Sequence, residues 1–203
     1  MRQQVLIIHG GTTYDKYDDF IYDLKNKEVS LDRLKIFKDW KNSLPEELGE
    51  NFEVLAPRMP NGTNAQYDEW KIWFERIIPL LEDKPIFVGH SLGGIFLAKY
   101  LSENIVFKKP RAVILVAAPF DDENSDESLG SFNLSESLIN ISSQCDQIYF
   151  IQSEDDPYVL FEQLEKYRKA LQEAKYIIFK DRGHFLLESF PELVRLIKDI
   201  SNN

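Results

Sequence analysis

Residues 85–100 read Pro85-Ile86-Phe87-Val88-Gly89-His90-Ser91-Leu92-Gly93-Gly94-Ile95-Phe96-Leu97-Ala98-Lys99-Tyr100. An apolar strand runs here through Gly-x-Ser-x-Gly directly into a segment with the periodicity of a helix. This pattern is typical of a nucleophile elbow, a sharp turn that holds a serine in a strained backbone conformation with its hydroxyl exposed. The flanking residues are small because the strand and the helix pass very close together. We therefore predict that Ser91 is a nucleophile, and not only the N-cap of a helix.

The same segment excludes a phosphate-binding loop. Gly89 and Gly94 stand at two glycine positions of that motif. Ile95 and Phe96, however, occupy the places where the motif requires lysine and serine or threonine. The glycine spacing of a dinucleotide-binding fingerprint is also missing. The sequence therefore favours nucleophilic chemistry over nucleotide binding.

A serine hydroxyl needs a neighbouring base to react at neutral pH. The chain has three histidines, and only His184 follows Ser91, in a short glycine-containing loop before the last predicted helix. Enzymes with this turn carry their residues in the order serine, acid, histidine. We therefore predict that His184 is the base. His9 and His90 lie within the predicted turns and are expected to make local hydrogen bonds.

Several aspartates are candidates for the acid that orients this base. Asp155 and Asp156 precede Pro157 just after the fifth predicted strand, where the acid usually lies. Asp156 is also suited to be the N-cap of a helix that Pro157 opens, and the two roles are compatible. Asp121 and Asp122 follow the fourth predicted strand, where some hydrolases carry their acid. The residues alone favour Asp156 and leave the other three aspartates open.

Backbone donors for an oxyanion are predicted at two turns. The first predicted strand runs into His9-Gly10-Gly11-Thr12, where glycines let backbone N–H groups approach a bound carbonyl. Gly11 is the predicted donor, with Gly10 and Thr12 as alternatives. The second predicted donor is the N–H of Leu92, immediately after the nucleophile.

Apolar strand-like runs alternate with helical patterns along the whole chain. Strands are predicted at Val5–Ile8, Phe52–Ala56, Pro85–Gly89, Ala112–Ala117, Gln147–Gln152 and Lys175–Phe179. Helices are predicted at Leu31–Leu44, Gln66–Leu81, Ser91–Ser102, Pro157–Ala170 and Pro191–Ile200. This alternation is typical of a three-layer α/β sandwich, here about six mainly parallel strands with helices on both faces. We predict one domain over residues 1–203, with all the candidate site residues at the carboxyl ends of the strands.

Composition restricts the partners and the compartment. The formal net charge is −10 and the pI is about 4.9, which disfavours binding to nucleic acid. One cysteine excludes an internal disulfide, and no signal peptide or apolar run of membrane-spanning length is visible. The acidic run 121–127 contains no histidine and is expected to be a solvated loop. We therefore expect a cytoplasmic protein that has no metal or cofactor and no association with nucleic acid or a membrane.

Taken together, these motifs resemble the small α/β-hydrolase family typified by retinoblastoma-binding protein nine. The resemblance covers nearly the whole chain and is carried by Val5 to Gly11, Pro57 to Asn61, Gly89 to Ser91, Ser153 to Pro157 and Gly183 to Phe185. It implies a serine hydrolase, most simply a carboxylesterase, and it maps the acid onto Asp156. A peptidase or an acyltransferase would use the same residues. A non-catalytic binding protein that keeps the fold is the alternative from another class.

The chain departs from the family pattern between the predicted oxyanion loop and Trp40. Residues 14–34 form a longer stretch, rich in tyrosine and charge, which is either a pocket-shaping insertion or an ordinary surface insertion. The segment after the fourth predicted strand, Pro119 to Phe132, is too short and too polar for a cap domain. We therefore expect an open site that favours small acyl esters over long lipids.

Overall fold

The computed structural model describes residues 2–31, 34–123, 125, 127–134 and 138–202. Its strands are β1 (Gln3–Ile8), β2 (Phe52–Leu55), β3 (Ile86–His90), β4 (Ala112–Val116), β5 (Gln147–Ser153) and β6 (Lys175–Phe179). Its α-helices are α1 (Tyr17–Asn26), α2 (Trp40–Leu48), α3 (Tyr67–Ile77), α4 (Leu92–Glu103), α5 (Ile139–Gln144), α6 (Glu162–Ala170) and α7 (Pro191–Asn202). All six predicted strands are present, and their bounds differ from the predicted ones by at most two residues.

The six strands form one sheet in the order β2-β1-β3-β4-β5-β6, and every pairing is parallel. Strands β3 and β4 are buried at every residue. Such continuous burial is expected of a parallel sheet that is covered on both faces. It explains why β4 and the part of β3 before His90 contain no polar side chain.

Two apolar cores lie on opposite faces of this sheet. Successive side chains of a strand point to opposite faces, so in β1 Leu6 and Ile8 join one core while Val5 and Ile7 join the other. Helices α3, α4, α5 and α6 cover the first core, and α2 and α7 cover the second. The predicted three-layer α/β sandwich is thus confirmed.

The predicted helix Leu31–Leu44 is wrong at its start. Residues 32 and 33 lie outside the described part of the chain, and α2 begins only at Trp40. Asp39 caps this helix: its Oδ1 accepts the N–H of Lys41 at 3.0 Å, and the side chain of Asn42 accepts the N–H of Asp39 at 3.1 Å. The apolar spacing upstream imitated a helix, but the capping pair sets the true beginning.

The predicted helix Pro157–Ala170 also begins too early. Helix α6 starts at Glu162. Before it, Asp156 Oδ1 accepts the N–H groups of Tyr158 at 2.9 Å and Val159 at 3.0 Å. These bonds close a local turn after Asp156, so Pro157 opens a turn and not a helix.

Helices α1 and α5 were not predicted. Helix α1 lies inside the segment 14–34 and has no buried residue. Its apolar residues Tyr17, Phe20, Ile21 and Leu24 recur at helical spacing, a signal that the sequence-based prediction missed. Helix α5 has six residues, too few for its periodicity to stand out. Among the described residues, no helix is long and apolar enough to cross a membrane.

Candidate active site

Ser91 occupies a strained turn between β3 and α4. Its φ is 55° and its ψ is −123°, a conformation that side-chain-bearing residues rarely adopt. Ser91 stands at the N-cap position of α4, but its side chain makes no capping hydrogen bond. The hydroxyl is therefore not used as a helix cap, and Ser91 lines a cavity instead.

Two glycines allow this turn to form. A Cβ on Gly89 would lie 2.7 Å from Gly94 Cα, and a Cβ on Gly93 would lie 2.7 Å from the carbonyl carbon of Ile8. Atoms this close collide, so any side chain at either position would push α4 away from the sheet. The small residues of the motif thus follow from the close approach of β3, α4 and β1.

His184 and Asp156 form a hydrogen-bonded pair at the ends of neighbouring strands. His184 follows β6 and Asp156 follows β5. The Nδ1 atom of His184 lies 2.9 Å from Asp156 Oδ2 and 3.1 Å from its Oδ1. Asp156 is buried, and its Oδ1 also accepts two backbone N–H groups. A carboxylate only accepts hydrogen bonds, so the proton of neutral His184 is assigned to Nδ1 and Nε2 is left as the basic nitrogen.

The three rival aspartates bind other groups. Asp155 Oδ1 accepts the Ser153 hydroxyl at 2.5 Å and the Gly183 N–H at 2.8 Å. These hydrogen bonds lower the pKa of Asp155. Asp155 therefore binds the backbone of the loop that carries His184, whereas Asp156 contacts the imidazole of His184.

The earlier pair of aspartates is held within its own loop and by α6. Both oxygens of Asp121 accept from Lys166 Nζ at 2.7 Å. Asp122 Oδ2 accepts the N–H of Leu129 and the side-chain amide of Asn133, both at 3.2 Å. The structure therefore places Asp156 against His184, whereas Asp121 and Asp122 are engaged elsewhere.

The other two histidines both make hydrogen bonds, but only the one between His9 and Gly10 is local, as expected for both. His9 Nε2 accepts the N–H of Met59 at 2.9 Å, so its Nδ1 donates to the carbonyl of Gly10 at 2.5 Å. His90 Nε2 lies 2.9 Å from the backbone carbonyl oxygen of His184. Burial, and then the charges of Lys41 and His184, hold the pKa of His90 well below its usual range.

A cavity of about 400 Å³ opens at the carboxyl ends of the strands. Ser91 and His184 line it together with the loop 9–13. Asp121 and Leu129 contribute to its wall from the segment after β4. Of the described residues of the segment 14–34, none lines this cavity.

The predicted oxyanion donors lie beside the nucleophile. Gly11 and Leu92 both line the cavity. Leu92 is the first residue of α4, where N–H groups have no carbonyl of their own helix to bind. The alternative Thr12 is wrong, because its N–H donates to the carbonyl of Gly62 at 2.9 Å. Gly10 remains a second candidate, since a Cβ added there would lie 3.6 Å from Ser91 Oγ.

Five cavity residues lie outside the segments that the sequence analysis predicted to reach the site: Asp39, Lys41, Tyr158, Val159 and Leu186. Lys41 forms an ion pair with Asp39, and its ammonium lies 4.6 Å from the centre of the Trp40 ring. The Tyr158 ring lies 5.1 Å from that of His184. The capping pattern at Asp39 indicates the start of α2 but not that Asp39 and Lys41 reach the cavity. The position of Tyr158 depends on the turn after Asp156. Among the described residues, no three His, Cys, Asp or Glu side chains are grouped as metal ligands.

Comparison with known proteins agrees with this geometry. Residues 37–195 match the family described as "Serine hydrolase". Serine hydrolase RBBP9 of Rattus norvegicus is 30% identical over 151 residues, which cover 73% of this chain and 78% of that protein.

Solved structures share the fold at low sequence identity. The ydeN gene product of B. subtilis aligns with a TM-score of 0.77 and 19% identity, over 99% of this chain and 100% of that one. Polyneuridine aldehyde esterase aligns with a TM-score of 0.63 and 14% identity, over 99% and 100% of the two chains. These likenesses show the α/β-hydrolase fold. The family match and the identity to Serine hydrolase RBBP9 show that the chain belongs to the RBBP9-like family of serine hydrolases.

Proposed function

We propose that this serine hydrolase cleaves small acyl esters through a triad of Ser91, His184 and Asp156. The observation that carries the proposal is the hydrogen-bonded pair of His184 and Asp156 in the same cavity as the strained Ser91. Because Nδ1 of His184 faces Asp156, Nε2 is left as the basic nitrogen, and His184 and Ser91 line the same cavity. A nucleophile, a base and a group that orients the base are the components that acyl transfer requires.

In the first half of the reaction, the Ser91 hydroxyl attacks the ester carbonyl and His184 Nε2 takes its proton. Asp156 holds the imidazole in the tautomer that can accept this proton, and it stabilises the imidazolium that forms. The imidazolium then donates the proton to the leaving alcohol. The product of this half is an acyl group on Ser91 Oγ.

The negative charge on the carbonyl oxygen is stabilised by backbone donors. The N–H groups of Leu92 and Gly11 are proposed to bind it, and the positive end of the α4 dipole favours the same charge. Loss of one such donor typically costs about 3 kcal/mol of transition-state stabilisation. In the second half, His184 activates a water molecule, which releases the acid by the same route.

The experiment that tests this proposal is intact mass spectrometry after exposure to a fluorophosphonate probe. We expect one adduct on the wild type and none on Ser91→Ala or His184→Ala. Ser102→Ala is the matched control, because Ser102 lies on α4 outside the cavity, where its hydroxyl binds the carbonyl of Lys99 at 2.8 Å. That variant is expected to label as the wild type does.

Absence of an adduct on the folded wild type would contradict the triad and would favour a non-catalytic binding protein. If labelling occurs, hydrolysis of acetate and butyrate esters, measured beside amides and peptides, separates an esterase from a peptidase. Faster turnover of peptides than of small esters would overturn the ester assignment while leaving the triad intact.

A further inference from the structure

The loop that carries His184 is held by hydrogen bonds from two sides. On the β5 side, Asp155 accepts the N–H of Gly183 and Ser153 Oγ accepts the N–H of Arg182 at 2.9 Å. These bonds join the loop to the strand that also delivers Asp156. They therefore determine where His184 lies relative to its acid.

The bonds on the other side come from His90 and the first turn of α2. The indole N–H of Trp40 donates to the carbonyl of Phe185 at 3.1 Å, and its backbone N–H donates to the carbonyl of Leu187 at 2.7 Å. His90 lies 2.9 Å from the carbonyl oxygen of His184 itself. The donors on this side belong to elements that do not carry Asp156.

His90 differs from the other anchors because it shares a peptide bond with the nucleophile. It ends β3 and immediately precedes Ser91, and only 3% of its surface is exposed. A carbonyl oxygen only accepts hydrogen bonds, so the close nitrogen of His90 must be the protonated one and the ring is assigned as the Nε2–H tautomer. One hydrogen bond therefore connects the residue next to the nucleophile with the backbone of the base.

We propose that His90 is a positioning residue, whose Nε2–H holds the His184 backbone at the distance from Ser91 that proton transfer requires. The inference rests on the proposed triad and adds a residue to the support of that triad. His90 acts through His184 and not on the substrate. Its loss should change the separation of base and nucleophile while the pair of His184 and Asp156 stays intact.

The expected effect is on rate. Misplacement of a catalytic group by about 1 Å lowers a rate by about 100-fold. We therefore expect the labelling rate of Ser91 and the kcat for a small ester to fall between about 10-fold and 100-fold when the donor is removed. All sites should still label at the end of the reaction, because every folded molecule keeps the triad.

The decisive comparison is between His90→Gln and His90→Asn. The glutamine amide nitrogen reaches the position of histidine Nε2, whereas the shorter asparagine amide nitrogen reaches only that of Nδ1. We expect His90→Gln to retain a labelling rate within about threefold of the wild type and His90→Asn to show the full loss. Equal rates for the two variants would overturn the proposal.

The matched control is Tyr176→Phe, which also removes one side-chain donor to a backbone carbonyl, that of Leu171 at 2.8 Å, away from the cavity. This variant is expected to keep the wild-type rate. If a His90 variant instead leaves a fraction of sites unlabelled while the rest react at the wild-type rate, its role is only structural and the proposal fails.

A measurement on the unmodified protein gives an independent test. Nitrogen-15 NMR distinguishes the two neutral tautomers of histidine, and His90 is expected to be protonated at Nε2. An Nδ1–H tautomer would remove the proposed donor and overturn the inference even if no variant folds. A wild type that does not label contradicts the triad itself. A wild type that labels while His90→Asn reacts equally fast contradicts only the role of His90.

Discussion

Asp156 differs from the neighbouring aspartates in how its two oxygens are used. One oxygen lies 2.9 Å from His184, and the other accepts backbone N–H groups of the following turn. Charge-assisted hydrogen bonds to a carboxylate are strong when the group is buried, as Asp156 is. The turn therefore fixes the carboxylate, and the carboxylate fixes the imidazole.

The first prediction concerns this carboxylate. Asp156→Asn should lower kcat by about 10³-fold to 10⁴-fold, because an amide nitrogen facing Nδ1 favours the wrong imidazole tautomer. Hydrolysis of an acetate ester, followed at saturating substrate, measures the effect. The control is Asp121→Asn, which should stay within a few-fold of the wild type. The reverse result would move the acid to the loop after β4.

The second prediction concerns the hydroxyl of Thr13, which is buried at the cavity wall and has no hydrogen-bond partner among the described residues. An unpaired buried hydroxyl costs about 1 to 3 kcal/mol. Thr13→Val keeps the shape and removes the cost, so the free energy of unfolding in urea should rise by about 1 kcal/mol. Thr13→Ser keeps the hydroxyl and should show no such gain. A valine variant that is less stable than the wild type would mean that the hydroxyl has a partner.

For single residues, the sequence allows a prediction where a short motif or the order along the chain indicates the role. Ser91 was identified by the glycines around it, and His184 by its place in the chain order. Lys41 and Tyr158 reach the cavity through contacts between distant parts of the chain, for which no local pattern exists. Asp156 is intermediate, because the residues alone left it among four aspartates and the resemblance to a family selected it.

Single hydrogen bonds set where two of the helices begin. The sequence-based prediction was wrong at these two helix starts because it did not include those bonds. Helix α2 begins at Trp40 because Asp39 caps it, although apolar spacing suggested an earlier start. Helix α6 begins at Glu162 because the turn closed by Asp156 comes first. The strands were predicted more accurately, since each contains a short run rich in β-branched and other apolar residues. This holds even for β6, which has no buried residue.

The third prediction concerns the ion pair that joins the loop after β4 to α6. Burial alone would raise the pKa of Asp121, but hydrogen bonds from Lys166 and Gln163 outweigh it and the pKa is lowered. A lowered pKa means that the charged form contributes stability at neutral pH, and that this contribution is lost as the pH falls through the folded-state value. Asp121→Asn should therefore destabilise the protein by about 1 kcal/mol at pH 7, since the pair is partly exposed.

The same contribution should vanish in acid. As the pH falls from the ordinary aspartate pKa of about 3.9 through the lower folded-state value, the wild type and Asp121→Asn should converge in urea unfolding experiments. A difference that persists unchanged at low pH would show that packing, and not the charge of Asp121, accounts for it.

For the whole molecule, the parallel sheet explains why residues from distant segments meet. The loops after β1, β3, β4, β5 and β6 all leave at the carboxyl edge, and they bring Gly11, Ser91, Asp121, Asp156 and His184 to one cavity region. The alternation of strands and helices was sufficient to predict this gathering. The segment 14–34 was not predictable in the same way, because its helix has no buried residue and the sheet does not determine its position.

The fourth prediction concerns the size of the substrate. We propose that a cavity of about 400 Å³ suits short acyl groups. We expect kcat/KM to be higher for acetate and butyrate esters than for long-chain esters. Faster hydrolysis of the long-chain esters would contradict an open site for small substrates.

A variant in the segment 14–34 tests whether that segment affects the kcat/KM for small esters. Tyr17 and Tyr22 are 66% and 69% exposed, and neither lines the cavity. The double substitution Tyr17→Ser and Tyr22→Ser should leave kcat/KM for butyrate esters within about twofold of the wild type. A larger change would mean that this segment shapes the pocket.

The order of the strands also has a consequence during synthesis of the protein. Ser91 follows β3, whereas Asp156 and His184 follow β5 and β6, the last strands of the sheet. A growing chain therefore contains the proposed nucleophile, Ser91, long before the proposed base, His184, has been made. The proposed triad can assemble only when β6 joins the sheet, so chains that lack this strand are expected to show no serine hydrolase activity.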